Sequence, residues 1–171
     1  MKLAERLHKK GAAVTLFLHP VCVDYSKKGI RVIKFHYFDE LRDALRAELK
    51  EHRYDTIIHS AAVSDFIPLK KYKGKLESDK KLTITLVPLP KIIRDIRKSA
   101  PYAQLIMFKL ETGMTDAALV AKAQHARKKA GADIVIANMM DPYKAFIIDA
   151  KGSAASVKTK DELIKKLADM V

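Results

Sequence analysis

Cysteine is nearly absent from this chain of 171 residues: Cys22 stands alone, so an internal disulfide and any multi-cysteine metal site are excluded. Cys22 itself reads as a small apolar residue in a loop. Long apolar runs are missing too. None approaches the roughly 18 residues that a bilayer-spanning helix needs, and the opening "MKLAERLHKKGAAVTLFLHP" is amphipathic, unlike a leader. A cytoplasmic setting without membrane contact is expected. Negative charge is scarce, with 20 Asp and Glu against 33 Lys and Arg, a formal net charge of +13. That balance predicts an anionic partner, which sign alone leaves open among nucleotide phosphates, nucleic acid and a membrane surface. The common nucleotide and hydrolase signatures are absent as well: no P-loop lysine motif, no G-x-G-x-x-G, no H-E-x-x-H and no G-x-S-x-G.

What is present is the composition of a folded domain, 49% hydrophobic and 31% charged, at a length that fits one core. Residues 2–10 place Leu3, Ala4 and Leu7 on one helical face before Gly11. "AAVTLFL" (12–18) is a continuous apolar run, as in strands buried on both faces. "IRVIKF" (30–35), a helix carrying Leu41, Leu45 and Leu49, and the strand "YDTIIHSAAV" (54–63) follow. Then come "LTITLVP" (82–88), a helix over 91–98, the strand "AQLIMFKL" (103–110) and a long helix capped by Thr115 and closed by Gly131. The chain ends with "DIVIAN", "AFIID", "ASVKT" and a helix over 160–170. Alternating strands and helices predict an α/β fold, a doubly wound, Rossmann-like three-layer sandwich with a mostly parallel sheet. "AFIID" and "ASVKT", separated by a short Gly turn, predict an antiparallel hairpin at one edge.

In such sheets ligands bind beyond the carboxyl ends of the strands. Three polar clusters close apolar runs there: Ser60 to Asp65, Phe108 to Thr112 and Asn138 to Asp141. Asp65 follows the small residues of "AAVS", which let a backbone approach a ligand; it is a candidate acceptor for a sugar hydroxyl or base, or equally the start of a turn before Pro68. Between Lys70 and Lys81 lie six lysines around Gly74, either a solvated surface loop or a flap that closes on substrate. Glu111 reads as a ligand-facing group or as an acceptor for backbone N–H groups at a helix start, and Asn138 poses the same choice. The six histidines, His8, His19, His36, His52, His59 and His125, are scattered and read as surface or packing residues.

Seven segments in order, "GAAVTL", "AAVSDF", "GKLES", "LTITLVPLPKII", "FKLET", "ADIVIAN" and "VKTKDELIKKLADMV", make the chain resemble the phosphopantothenoylcysteine synthetase (phosphopantothenate–cysteine ligase) family over nearly its whole length. The resemblance implies one domain over 1–171 with a flap at 67–81. It implies a ligase of coenzyme A biosynthesis that uses ATP or CTP with Mg²⁺ to activate 4'-phosphopantothenate as an acyl-nucleotide, which the amine of cysteine then attacks. It assigns Lys75 of "GKLES" to the flap lysine, Asp65 with Ala61 and Ala62 to the nucleotide site, and Phe108 to the position that reads the base. Lys128 and Lys129 are candidates for the phosphate-binding cations of the helix before "ADIVIAN". A homodimer with its active site near the interface is implied as well. Family members open with a strand, a Gly-Gly-Thr loop and an Asn-x-x-Ser-Gly segment. Met1 falls roughly where the helix after that segment begins, so an apolar sheet edge is expected to lie open or to require a partner. The alternatives are a nucleotide-binding domain or subunit without turnover, and a basic nucleic-acid-binding module, for which charge is the only support.

Overall fold

The computed structural model describes residues 1–20, 25–70, 72–79 and 81–171; Cys22, read above as a loop residue, lies outside them. Elements follow in the order α1 (Lys2–Lys9), β1 (Val14–Leu18), β2 (Ile30–Lys34), α2 (Phe38–Glu51), β3 (Thr56–His59), β4 (Phe66–Pro68) and β5 (Leu86–Pro88). They continue with α3 (Ile92–Ser99), β6 (Gln104–Leu110), α4 (Asp116–Ala130), β7 (Ile134–Met140), β8 (Tyr143–Ile148), β9 (Ala154–Val157) and α5 (Lys160–Met170).

The central sheet has the order β3-β6-β7-β8-β9. β3, β6 and β7 are parallel, and β7, β8 and β9 form an antiparallel meander at the other edge. The antiparallel part starts one strand earlier than expected, because only Asp141 and Pro142 separate β7 from β8 and no crossover fits into so short a link. Alternation along the strands sorts the core into two layers. Leu105, Met107, Val135 and Ala137 face α2, α3 and α4 through Leu41, Ile92, Ile96 and Leu119. Ile106, Ile134 and Ile136 face the opposite way, toward Leu163 and Leu167 of α5 and Leu3 of α1. This is the expected three-layer α/β arrangement.

α4 has the caps that its sequence promised. Thr115 Oγ1 accepts from the Ala118 N–H at 3.3 Å, and Gly131 takes φ 68°, a left-handed turn that closes helices readily because it has no Cβ. Its buried stripe of Leu119, Ala123 and Ala130 also includes Arg127. The Arg127 guanidinium donates to the Ala132 carbonyl at 3.0 Å and the Ala150 carbonyl at 3.1 Å, tying α4 to the start of β7 and the end of β8.

Three strand expectations are corrected. β1 and β2 form a separate parallel pair, and β1 makes no ladder with β3. Between them lies a cleft of about 170 Å³, lined by Thr15, Leu16 and Phe17 on one side and Thr56 to His59 on the other. β1 is therefore only half buried rather than buried on both faces, since a ladder covers just one of its edges. At the amino end of the cleft, the Tyr54 hydroxyl donates to Glu48 at 2.5 Å and shares a 3.0 Å hydrogen bond with Thr15, while Arg31 also donates to Glu48 at 2.5 Å. Burial and then the Glu48 carboxylate raise the Tyr54 pKa above its ordinary value, so the phenol stays protonated and able to donate. The strand expected over 54–63 ends at His59, beyond which the chain leaves the sheet. The strand expected over 82–88 is reduced to β5, which pairs antiparallel with β4 in an arm outside the main sheet.

Candidate functional site

A pocket of about 460 Å³ opens at the carboxyl ends of β3, β6 and β7. One wall is the loop from Ser60 to Asp65, where the small side chains of Ala61, Ala62 and Ser64 leave the backbone open to a ligand. The other wall carries Met107 to Leu110 at the end of β6, Asn138 of β7, and Pro90 to Ile93 at the start of α3. Ala61, Ala62, Asp65, Phe108 and Asn138, picked out separately in the sequence, thus share one cavity. Parallel pairing of Leu110 with Asn138 brings two of the three polar strand ends into register.

The electrostatics come from two lysine–carboxylate groups. Lys91 Nζ donates to Asp65 Oδ1, a partner that neither sequence reading of this aspartate named. The Leu89 N–H donates to the Asp65 carbonyl at 2.8 Å, fixing the two chain segments side by side. Glu111 lies between Lys109 and Lys122, 2.9 Å from each, with its side chain only 15% exposed. Hydrogen bonds from Lys109, then from Lys122, hold its carboxyl below the usual value. Neither of the two sequence readings of Glu111 named these partners: it is a counter-ion for two lysines. Asn138 Oδ1 is buried and meets no donor among the described residues, which leaves an acceptor available at the pocket wall. Burial lowers the pKa of His59, so that its imidazole is neutral at pH 7.

Other candidates lie elsewhere. Lys75 is exposed on the 67–81 segment beside Gly74, whose φ of 84° provides the expected bend, and it is not among the pocket-lining residues. Lys128 and Lys129 are exposed in the last turn of α4, at the amino end of the sheet and away from the cavity. The α4 cation that reaches the cluster is Lys122. Lys91 and Lys122 escaped the sequence reading. A lysine at the N-cap of α3, where the helix start is itself positive, was the signal for the first. Among the described residues no cluster of three or more His, Cys, Asp or Glu side chains could hold a metal ion, and no helix is long and apolar enough to cross a membrane.

The sequence profile of the DNA/pantothenate metabolism flavoprotein C-terminal domain matches residues 1–171. The chain belongs to that family. A curated relative, the coenzyme A biosynthesis bifunctional protein CoaBC of Thermococcus kodakarensis, is 31% identical over 175 residues, covering 99% of this chain and 43% of the relative. Phosphopantothenate–cysteine ligase 2 of rice (Oryza sativa subsp. japonica) is 32% identical over 120 residues, 66% of this chain and 36% of that protein. The chain thus spans less than half the length of either. Among solved structures, the family's fold recurs in the DNA/pantothenate metabolism flavoprotein of Streptococcus pneumoniae, with TM-score 0.88 at 23% identity, over 99% of this chain and 84% of that one. A Cab2 variant in complex with phosphopantothenate-cysteine superposes with TM-score 0.75 at 17% identity, over 98% of this chain and 76% of that one.

Proposed function

We propose that this chain provides the nucleotide-binding and ligating site of a phosphopantothenate–cysteine ligase. The observation that carries the reading is the convergence of Ala61, Ala62, Asp65, Phe108 and Asn138 on one pocket at the sheet's carboxyl edge. The names of the Thermococcus and rice relatives point the same way. In the proposed reaction a carboxylate oxygen of 4'-phosphopantothenate attacks the α-phosphorus of ATP or CTP and pyrophosphate leaves. The cysteine amine then attacks the acyl carbon, loses a proton, and the nucleoside monophosphate departs. Asp65 accepts from sugar hydroxyls, the small Ala61 and Ala62 admit the nucleotide, and the backbone of Phe108 helps to read the base. Lys109 and Lys122 supply positive potential for phosphates, the role that the resemblance gives to Lys128 and Lys129.

Mg²⁺ would arrive as a passenger on the triphosphate, held by phosphate oxygens and water, because Asp65, the carboxylate among the lining residues, is engaged by the sugar. Lys75, on the flap, is assigned to the charge that develops during acyl transfer. A cation aimed at such charge contributes about 3 kcal/mol, roughly 10²-fold in rate. Pyrophosphate release measured with phosphopantothenate, cysteine and ATP or CTP tests the reading. Lys75→Ala should lose that factor while Lys70→Ala stays near the parent rate, and equal losses would remove the special role of Lys75. Nucleotide binding without pyrophosphate release would leave a binding domain. Salt-steep nucleic-acid binding with no affinity for mononucleotides would replace the reading altogether.

A homodimer belongs to the same proposal. Phe66, Leu69, Leu82, Ile84 and Leu86 are each about half exposed on and around the β4–β5 arm, and a two-stranded arm with so much bare apolar surface gains by packing on a second copy. Sedimentation equilibrium should give twice the 19.2 kDa chain mass.

A further inference from the structure

Lys91 stands at a position that a helix does not favour. It is the N-cap of α3, it makes no side-chain cap, and its positive charge sits at the positive end of the helix. Residues that break a local rule in this way concentrate at functional sites. The surroundings supply an anion: Lys91 Nζ is bound to Asp65, and both residues line the pocket. The two side chains are 50% and 62% exposed, so solvent screens their pairing and it is easily given up. Lys109, the pocket's other lysine, differs because its partner Glu111 is only 15% exposed and also holds Lys122. Of these two cations, Lys91 is the one that an incoming anion can recruit at small cost.

We propose that Lys91 is a phosphate-binding residue of this site and that it works by exchange: sugar hydroxyls take over the Asp65 carboxylate while Lys91 turns to the phosphates of the same nucleotide. The inference rests on the nucleotide reading above and adds a residue and a selectivity to it. A ligand with both hydroxyls and phosphates splits the pair and satisfies both halves. A nucleoside without phosphates competes with Lys91 for Asp65 and leaves the ammonium without a partner. The pair therefore weakens nucleoside binding itself, which a plain anion-binding lysine would leave unaffected.

The test is titration calorimetry of the chain with ATP and CTP, and with adenosine and cytidine, for the parent, Lys91→Met, Lys91→Arg and Asp65→Asn. Loss of one charge-assisted contact predicts about tenfold weaker triphosphate binding in Lys91→Met, whereas nucleoside binding should tighten by up to about fivefold as Asp65 is freed, and unchanged nucleoside binding would overturn the exchange in favour of a plain phosphate-binding lysine. Lys91→Arg should restore triphosphate binding. Asp65→Asn should weaken both classes of ligand. A shift of equal factor and sign for triphosphate and nucleoside in Lys91→Met, or no shift for triphosphate, would overturn the exchange while leaving the nucleotide site in place. A parent chain that binds none of the four ligands would overturn the nucleotide reading and the exchange together. Matching thermal midpoints among the variants would show that the differences arise at the site.

Discussion

Replacing Glu111 by Gln isolates the electrostatic part of the cluster beside the pocket, because the side chain keeps its shape and loses its charge. Glu111 receives hydrogen bonds from two lysines, each 2.9 Å away, whose side chains are 34% and 48% exposed. A charge-assisted hydrogen bond contributes about 1.5–3 kcal/mol when shielded, and an exposed ion pair at most about 1. Solvent around the lysines places each bond near the lower figure, and Gln retains one acceptor, so the net loss at pH 7 should be about 1.4 kcal/mol. With a urea slope of about 2 kcal/mol/M for a domain of this size, the unfolding midpoint should fall by about 0.7 M. The pH dependence gives the sharper readout. The folded-state pKa of Glu111 lies below the ordinary value of 4.5, so its stabilisation is complete above that value and disappears as pH falls through the depressed one. Urea unfolding at neutral pH and again below the depressed pKa should therefore show two curves that are separate in the first case and converge in the second. An equal gap at both pH values would mean that Gln disturbs packing rather than charge, and the electrostatic reasoning would be refuted.

Two further substitutions probe the frame that carries the site. Arg127→Met removes the donor shared by the Ala132 and Ala150 carbonyls; their lost hydrogen bonds, partly offset by removal of a buried charge, should cost about 2 kcal/mol in equilibrium unfolding, and an unchanged midpoint would contradict the strut. Gly131→Ala forces a side chain into φ 68° and places its Cβ 3.3 Å from Arg97 Cγ, so the calorimetric midpoint should drop by roughly 3 °C, about 1 kcal/mol, and a rise would show that the backbone relaxes freely.

Much of the fold was legible in the sequence where local chemistry decides it. Thr115 and Gly131 marked both ends of α4, and the spacing of Leu41, Leu45 and Leu49 marked α2. Strand burial was not legible, because a run such as "AAVTLFL" has the same composition whether one or both of its edges are paired. "LTITLVP" looks like a core strand by propensity, yet only its last three residues pair, and they pair with Phe66–Pro68. Sequence pointed to the edge where the pocket lies, since every parallel strand must end there. The ion pairs were not legible, because Asp65 meets Lys91 across 26 positions and Glu111 meets Lys122 across 11. Sequence also gives no means of choosing which turn of α4 faces Glu111, and Lys122 is the α4 lysine that reaches it.

The clasp of Arg31, Glu48, Tyr54 and Thr15 has a mechanical meaning. Among the described residues no backbone ladder crosses from β1 to β3, so the β1–β2 pair and the five-stranded sheet are two plates joined edge to edge by side chains and by α1 and α2. A ladder is stiff and fails as a unit, whereas a phenol and a carboxylate can part and meet again without disturbing any strand. Hinged separation of the plates therefore has to break the hydrogen bonds that Arg31 and Tyr54 donate to one buried carboxylate, Glu48, together with the apolar contacts of Phe17 and Phe35 beside them.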